Sequence, residues 1–142
     1  TRCMAEPSRR YLDAEVALEN LEAVHELLED WWGAVGDVPP RVRFGFDTAV
    51  IEIAGNIIEH SVRLDDETGR RFSLALTGTE RMLHARFEDN GRPAGIDLSA
   101  VAMAGSEDEN GRGLALAIAS LDRLDYRFEN GRNVWELECG RG

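Results

Sequence analysis

The sequence predicts an α/β (α+β) two-layer sandwich, in which three main helices cover one face of a mixed, mainly antiparallel sheet. Two observations predict this class. Apolar residues recur with the 3.6-residue spacing of a helix in three segments of the chain. Other, shorter segments alternate between apolar and polar residues and are separated by turn residues such as Asn130-Gly131, as expected for half-buried strands. The two kinds of segment alternate along one chain, which favours a layered domain over a helical bundle.

The helices account for three parts of the chain. A first helix is predicted from Asp13, as its N-cap, to about Gly33, because apolar residues recur there at helical spacing. A Gly/Pro-rich break at 36–40 separates it from a second helix, which ends near Ser61. A third helix is predicted from Leu114 to about Leu124, and one further helical turn is expected near 98–103.

The strands fill the remaining segments. A short first strand is expected before the first helix, and a hairpin of two alternating strands follows the second helix. Two more strands flank an Asn-Gly turn near the end of the chain. The predicted strands are 9–12, 71–77, 82–88, 125–128 and 133–138.

Length and charge limit the organisation and the partners. The chain has 142 residues and a formal net charge of −11. We expect a single domain over 9–138, with residues 1–8 as a disordered stretch or tag remnant and 139–142 as a tail. The negative charge argues against a nucleic-acid partner, and the apolar runs are too short to cross a bilayer. All sixteen basic residues are Arg, which excludes a lysine-based phosphate loop.

The two cysteines, Cys3 and Cys139, lie near opposite ends of the sequence. Nothing in their spacing supports a metal site, and a disulfide between them is left open. We therefore expect a reducing, cytoplasmic compartment. Trp31 and Trp32 are predicted to be core residues, with an exposed partner surface as the alternative.

One polar stripe runs along the second helix. Glu52, Asn56 and His60 are four residues apart, so each is rotated only about 40° from the last and all lie on one side of the helix. The core-facing side of the same helix carries Phe46, Val50, Ile53 and Ile57. A carboxylate, an amide and an imidazole thus border the core, where a pocket can form; an ordinary amphipathic helix is the alternative.

Two glycine motifs follow the stripe. Asp89-x-Gly91 ends a predicted strand, and Gly111-x-Gly113 precedes the third helix, with an irregular segment, 94–110, between them. Each motif alone is typical of an ordinary turn or helix cap. In this order they resemble the N box and the two glycine boxes of the GHKL (Bergerat-fold) ATPases. The short domain and the closing segment 131–137 are similar to the anti-sigma-factor serine kinases of the RsbW/SpoIIAB type.

The resemblance implies ATP and Mg²⁺ as cofactors. Asn56 matches the residue that holds the metal, and its amide oxygen is a ligand that Mg²⁺ accepts. Glu52 matches the glutamate that acts on the attacking hydroxyl, which makes it the candidate catalytic residue. Asp89 matches the aspartate that accepts from the adenine amine. His60 either belongs to this nucleotide-binding stripe or is a half-buried histidine whose hydrogen bonds are satisfied by the protein.

The glycine boxes are implied to approach the nucleotide with their backbone. Gly91 and Gly95 allow the chain to come close to the base and sugar. The helix N-terminus formed by Gly111, Arg112, Gly113 and Leu114 presents N–H groups to the phosphates. Segment 94–110 would be a lid over the triphosphate, although its acidic run 107–109 is a departure that disfavours a bound anion unless it points outward.

The implied function is a homodimeric protein-serine kinase that is also an anti-sigma factor. It would bind a sigma factor and phosphorylate a STAS-type anti-anti-sigma protein. The first alternative is a non-catalytic, ATP-gated binding module, which the acidic lid favours. The second is a detached catalytic domain of a histidine kinase, suggested by His25-Glu26 and disfavoured because no dimerising helical hairpin precedes the domain in this sequence.

Overall fold

The computed structural model describes residues 6–64, 69–95 and 109–142, which form one sheet and three α-helices. Two of the helices follow each other after the first strand, and the third helix lies between the two pairs of consecutive strands. The strands are β1 (Ser8–Glu15), β2 (Arg71–Gly78), β3 (Met82–Asp89), β4 (Arg123–Glu129) and β5 (Arg132–Gly140), and the helices are α1 (Leu21–Val35), α2 (Pro40–Leu64) and α3 (Glu109–Ser120).

The five strands lie in the order β1-β2-β3-β5-β4, and every neighbouring pair is antiparallel. The predicted fold class is confirmed, but the described sheet is antiparallel throughout rather than mixed. The last strand, β5, enters the middle of the sheet beside β3, and β4 lies at the edge. Because β3 and β5 run in opposite directions, the end of β3 meets the start of β5, with Asp89 opposite Asn133.

The core lies between one face of the sheet and the helices. Alternate residues of β2 and β3, including Phe72, Leu74 and Phe87, are fully buried on this face. Helix α2 supplies Phe46 and Ile53, which have no exposed surface. The other helical side chains buried in the same core include Val24, Leu28, Trp31, Trp32, Val50 and Ile57.

The two tryptophans of α1 are core residues, as predicted. Trp31 and Trp32 are buried and their ring centroids lie 4.7 Å apart. Trp31 also packs against Phe46 of α2 at 5.4 Å. The helix ends at Gly36, whose φ of 86° is a conformation that glycine adopts without a steric penalty. These contacts fix α1 against α2.

The predicted start of the first helix is wrong. Asp13 lies in β1, where it pairs with Ser73 and forms an ion pair with Arg71. The first strand is longer than expected because the sheet edge pairs eight residues of β1 with β2. The first helical turn, a 3-10 turn, begins at Leu18, and α1 follows from Leu21.

The third helix is shifted toward the N-terminus. It was predicted to begin at Leu114, but it begins at Glu109 and ends at Ser120. The glycine segment 111–113 therefore lies within the first turns of α3 instead of preceding it. The predicted helical turn near 98–103 falls outside the described residues.

The turn between β4 and β5 agrees with the prediction from its Asn-Gly pair. Asn130 and Gly131 both have positive φ angles, 54° and 74°. Two central residues with positive φ match the twist of an antiparallel hairpin, which is why Asn-Gly is preferred there. The turn sets the register that places Asn133 two residues beyond it, at the start of the site described below.

The outer face of the sheet carries paired charges. Arg127 donates to Asp125 and Glu136, at 2.9 and 2.8 Å, and Arg86 approaches Glu136 at 3.5 Å. The hydrogen bond from Arg127 lowers the pKa of Glu136. His84 also lies beside Glu136.

Within the described ranges, no helix is both long and apolar enough to cross a bilayer.

The burial of α2 against the sheet yields a stability prediction. We expect Ile53→Ala to lower the free energy of unfolding by about 2–5 kcal/mol, because it removes a fully buried side chain and leaves a cavity. Urea unfolding followed by circular dichroism measures the change. Val62→Ala, at an exposed position of the same helix, is the control and should change stability little. Equal losses in both variants would contradict the assignment of the buried face.

Candidate functional site

A small polar cavity lies between α2 and the adjoining ends of β3 and β5. It has a volume of about 40 Å³. Asn56 and His60 line it from α2, as the sequence stripe predicted, and Asp89 lines it from the end of β3. The other lining residues, which sequence reasoning did not identify, are Ile57, Ala94, Asn133 and Trp135. The structure therefore brings three of the predicted site residues to one place.

Asp89 is a buried carboxylate, with 4% of its surface exposed. Its Oδ1 accepts hydrogen bonds from the Gly91 N–H and from the side-chain amide of Asn133, both at 2.9 Å. Burial raises the pKa of Asp89, and the two hydrogen bonds partly oppose that shift. Because both bonds from described residues go to Oδ1, the second oxygen keeps its capacity to accept from a ligand.

Asn133 connects the cavity to the loop that follows β3. Its Nδ2 donates to Asp89 Oδ1 and to the Arg92 carbonyl, at 2.9 and 2.8 Å. Its Oδ1 accepts from the Ala94 N–H at 3.1 Å and from the Tyr126 hydroxyl. One buried amide thus holds a carboxylate, a loop and a neighbouring strand in place. Its only signal in the sequence is its position two residues after the Asn-Gly turn, which does not show that it lies opposite the end of β3.

Two aromatic side chains support this arrangement from the sheet. Trp135 is buried and lines the cavity, and its ring lies 4.6 Å from that of Tyr126 on β4. The Tyr126 oxygen also accepts from the Ala94 N–H at 2.9 Å. The cavity therefore has an apolar wall beside its polar groups.

His60 lines the cavity, and one nitrogen of its ring is buried without a hydrogen bond from the described residues. Its Nε2 has no hydrogen-bond partner among the described residues. It lies near enough to Asp89 to influence the charge on that carboxylate. The binding role of His60 stays a prediction, and this unpartnered nitrogen is the observation that favours it. An unpartnered buried nitrogen is costly, and a ligand in the cavity would offer it a partner.

Glu52 lies beside the first turns of α3. A Cβ added at Gly113 would stand 2.0 Å from Glu52 Oε2 and 2.6 Å from its carboxyl carbon. The carboxylate therefore fills the space that any other residue at position 113 would need. This contact brings the predicted catalytic glutamate and the second glycine box together, although they are far apart in the sequence.

The other predicted binding residues are placed less directly. Gly91 is buried and donates to Asp89, whereas Gly95 is exposed and has a φ of 65°. Gly111 and Arg112 belong to the first turns of α3, and Leu114 is buried in the core and does not line the cavity. The expected lid falls mostly on residues 96–108, outside the described ranges. The binding roles of these residues stay predictions.

The donor set fits a purine nucleotide better than a metal held by protein alone. The described residues contain no cluster of three His, Cys, Asp or Glu side chains able to hold a metal ion. The cavity instead offers a carboxylate acceptor, an imidazole nitrogen and the Trp135 ring. Its volume is close to the roughly 30 Å³ taken up by one water molecule, so a purine ring requires the cavity to widen.

Of the two cysteines, the structure describes Cys139. Cys139 is a buried free thiol on β5, and burial raises its pKa. Cys3 lies outside the described residues.

The fold and the site define an antiparallel α+β sandwich with a polar cavity between its central helix and two central strands. The family model of the histidine kinase-like ATPase domain matches residues 14–138. The chain therefore belongs to the histidine kinase-like ATPase domain family, which confirms the resemblance to this class of ATPase. Comparison with curated protein sequences finds no significant match.

Two solved structures share the fold. The crystal structure of the RsbU and RsbW domains of a Mycobacterium tuberculosis protein aligns with a TM-score of 0.63 at 18% identity, covering 94% of this chain and 33% of that chain. The SiaB-SiaC complex from Pseudomonas aeruginosa aligns with a TM-score of 0.57 at 15% identity, covering 92% and 89%. This chain thus spans about a third of the first structure, and at these identities the likeness concerns the fold alone.

The contact between Glu52 and Gly113 yields a prediction. Gly113→Ala should displace the Glu52 carboxylate, because the new methyl group and the carboxylate cannot occupy the same space, and the cost of that displacement should cancel the usual gain from Ala in a helix. In the Glu52→Ala background the same substitution should stabilise the protein by about 0.5–1 kcal/mol. Gly55→Ala is the matched control, since a Cβ there meets nothing within 4 Å, and it should stabilise α2 by about 0.4–1 kcal/mol. Thermal and urea unfolding of all variants complete the cycle; additive effects would contradict the contact.

The buried carboxylate yields a pH prediction. Because the pKa of Asp89 is raised by folding, the unfolded state loses this proton first as pH rises. Wild-type stability should therefore fall relative to Asp89→Asn from about pH 3.9 up to the raised pKa, and the difference should then stay constant. Urea unfolding from pH 4 to about pH 8 measures it. Asp37→Asn, at an exposed loop position, controls for net charge. Parallel stability curves for wild type and Asp89→Asn would contradict the assignment.

Proposed function

We propose that this protein is an ATP- and Mg²⁺-dependent protein-serine kinase and anti-sigma factor. The observation that carries the proposal is the contact between the Glu52 carboxylate and Gly113. This contact places a carboxylate that can accept a proton beside the glycine segment of α3. The same helix α2 extends from this contact to the cavity at Asn56 and His60. A candidate base and the polar cavity thus lie along a single helix in a chain of an ATPase family.

The adenine of ATP would occupy the cavity at the ends of β3 and β5. The free oxygen of Asp89 would accept from its exocyclic amine, while Asn133 holds that carboxylate in position. Trp135 would contact the ring and His60 Nε2 would gain a polar partner. A guanine carbonyl at the same place would face a carboxylate and leave both acceptors unpaired, so the site favours ATP over GTP.

Metal and phosphate would lie between the cavity and α3. Asn56 offers one neutral oxygen, which suits Mg²⁺ because this ion keeps most of its ligands as phosphate oxygens and water. The metal would neutralise charge on the transferred phosphoryl group. Because α3 begins at Glu109, the N–H groups that lack an intrahelical acceptor belong to its first turn, up to Gly111, and they favour an anion through their partial positive charge. Arg112 and Gly113 follow in the next turn and would border the phosphates.

Glu52 would act on the serine that receives the phosphoryl group. A serine hydroxyl is a poor nucleophile at neutral pH, and a carboxylate oxygen of Glu52 can take its proton as the oxygen attacks the terminal phosphorus of ATP and ADP leaves. The half-buried side chain is already held by packing against Gly113. Little rearrangement is then needed to orient the base, which is what efficient proton transfer requires.

The partners are proposed from the family resemblance. A sigma factor would be bound, and a STAS-type anti-anti-sigma protein would carry the serine. The likeness in fold to a structure that contains an RsbW domain supports this class of regulator. We further propose a homodimer in the cytoplasm. Nucleic acid and membrane partners are disfavoured by the net charge of −11.

A non-catalytic, ATP-gated binding module is the second candidate. Its supporting observation is also the position of Glu52, whose carboxylate would repel a terminal phosphate held by the neighbouring backbone of α3. The two candidates differ in what Glu52 does. As a base it is essential for transfer, whereas in a binding module it modulates nucleotide affinity.

Substitution of Glu52 separates the candidates. Glu52→Gln keeps the shape of the side chain and removes its basicity, so phosphotransfer should fall about a hundredfold or more while ATP affinity holds or rises. Transfer of labelled phosphate from ATP to a co-encoded STAS protein measures the rate, and calorimetry measures ATP binding. Glu80→Gln, in the exposed turn before β3, is the matched control. Wild-type transfer by Glu52→Gln would refute its role as a base, and ATP binding without any transfer by the wild type would favour the module.

A further inference from the structure

A large open groove lies between α1 and α2, separate from the cavity at Asp89. It has a volume of about 880 Å³. Residues of α1 at helical spacing form one wall of the groove, and residues of α2 form the wall that faces it. The lining residues are Glu22, His25, Glu26, Leu28, Glu29, Asp30, Trp32, Phe44, Asp47, Thr48, Ile51 and Glu52.

The groove is strongly acidic. Six of its lining residues are Asp or Glu, and among the described lining residues His25 is the one that can carry a positive charge. Some of the carboxylates already have partners: Asp30 pairs with Arg10, and Asp47 accepts from the Trp32 indole at 2.6 Å. Arg43 reaches the rim, 3.8 Å from Glu29.

Two carboxylates on α1 have no such compensation. Glu22 and Glu26 are exposed, lie one helical turn apart, and form no ion pair with any described residue. Their negative charges add to that of Glu52, which lies at the far end of the groove wall formed by α2. A cleft lined by one sign of charge concentrates its field and attracts ligands of the opposite sign.

The floor and one rim of the groove are apolar. Trp32 and Leu28 close it from below, and Ile51 lies half-buried on the α2 wall. Phe44 is 74% exposed, an unusual position for a large aromatic side chain in the first turns of a helix. An exposed aromatic residue at the rim of a groove is a typical anchor point for a partner's apolar side chains.

We propose that this groove binds a positively charged, amphipathic segment of the protein that accepts the phosphoryl group. Arg or Lys residues of the segment would pair with Glu22 and Glu26, and its apolar residues would pack on Trp32 and Phe44. This identity of the partner rests on the proposed function, because Glu52 closes one end of the groove and also contacts the glycine segment at Gly113. A segment lying in the groove would thus lead toward the phosphates.

Other occupants fit the groove less well. A second copy of this chain also carries a net charge of −11, so its approach to six carboxylates is repulsive. The acidic run 107–109 of the chain itself is disfavoured for the same reason. Nucleic acid and anionic lipid surfaces are negatively charged as well. The outer face of the sheet is a weaker candidate, because its charges are already paired with one another.

Selection of displayed peptides tests the proposal. Random peptides of about 12 residues, long enough to fill such a groove as a helix, are selected on phage against the wild-type protein without nucleotide. We expect the enriched peptides to carry a net positive charge and apolar residues at helical spacing. Their affinity is then measured by fluorescence anisotropy with the wild type and with variants of the groove. The enrichment of neutral or acidic peptides would overturn the proposal.

The variants locate the binding. The double variant Glu22→Gln/Glu26→Gln and the single variant Phe44→Ser should each weaken binding by about tenfold or more. The matched control, Asp37→Asn/Glu80→Gln, removes two exposed charges that do not line the groove and should change affinity little. Equal losses in the control would show attraction by net charge alone and would overturn the proposal, as would affinities insensitive to the groove substitutions.

A competition assay links the groove to the acceptor. A groove-binding peptide should inhibit phosphotransfer from ATP to the STAS protein, while ATP binding to the same protein stays unchanged. Uninhibited transfer with the groove saturated would overturn its assignment to the acceptor. If the wild type transfers no phosphate but the peptides still bind in the groove, the kinase proposal fails and the groove remains a site for a positively charged partner.

Discussion

The hydrogen bonds of Asn133 hold the candidate site together. This one amide joins Asp89 at the end of β3, the loop that follows it and Tyr126 on β4. All of these groups are buried or half-buried, where an unpaired donor or acceptor is costly. The pairing of β3 with β5 is therefore a structural requirement and also the means by which neutral donors hold a buried carboxylate in place. Burial raises the pKa of Asp89, although the hydrogen bonds from Asn133 and Gly91 and the charges of His60 and Arg70 oppose the shift.

Helix α2 connects this cavity to the rest of the functional surface. Its apolar side is buried against the sheet through Phe46 and Ile53, which fixes the rotation of the helix. With that rotation set, His60 and Asn56 face the cavity, and Glu52 meets α3 at Gly113. On α2 the acidic groove ends at Glu52, and the cavity lies beside the following turns, which carry Asn56 and His60. One well-packed helix thus orders a proposed nucleotide site, a proposed base and a proposed docking surface along a single line.

Much of the fold was predictable because local signals and burial agree. The alternation in β2 and β3 and the Asn-Gly turn before β5 each act over a few residues, and the structure contains them. Errors arose where long-range pairing overrode a local signal. Asp13 is a good N-cap in isolation, but pairing with β2 keeps it in a strand. The early start of α3 at Glu109 was missed for lack of apolar spacing before Leu114.

The sequence by itself determined the class of fold, the stripe of Glu52, Asn56 and His60, and the aspartate that ends β3, since helical periodicity and turn chemistry are local properties. Only the tertiary structure showed that β5 lies beside β3, because no local signal states which strands are neighbours. That pairing brings Asn133 to Asp89 and adds the apolar wall of Trp135. Packing of α3 on α2 likewise decided the contact of Gly113 with Glu52, and packing of α1 on α2 decided the groove.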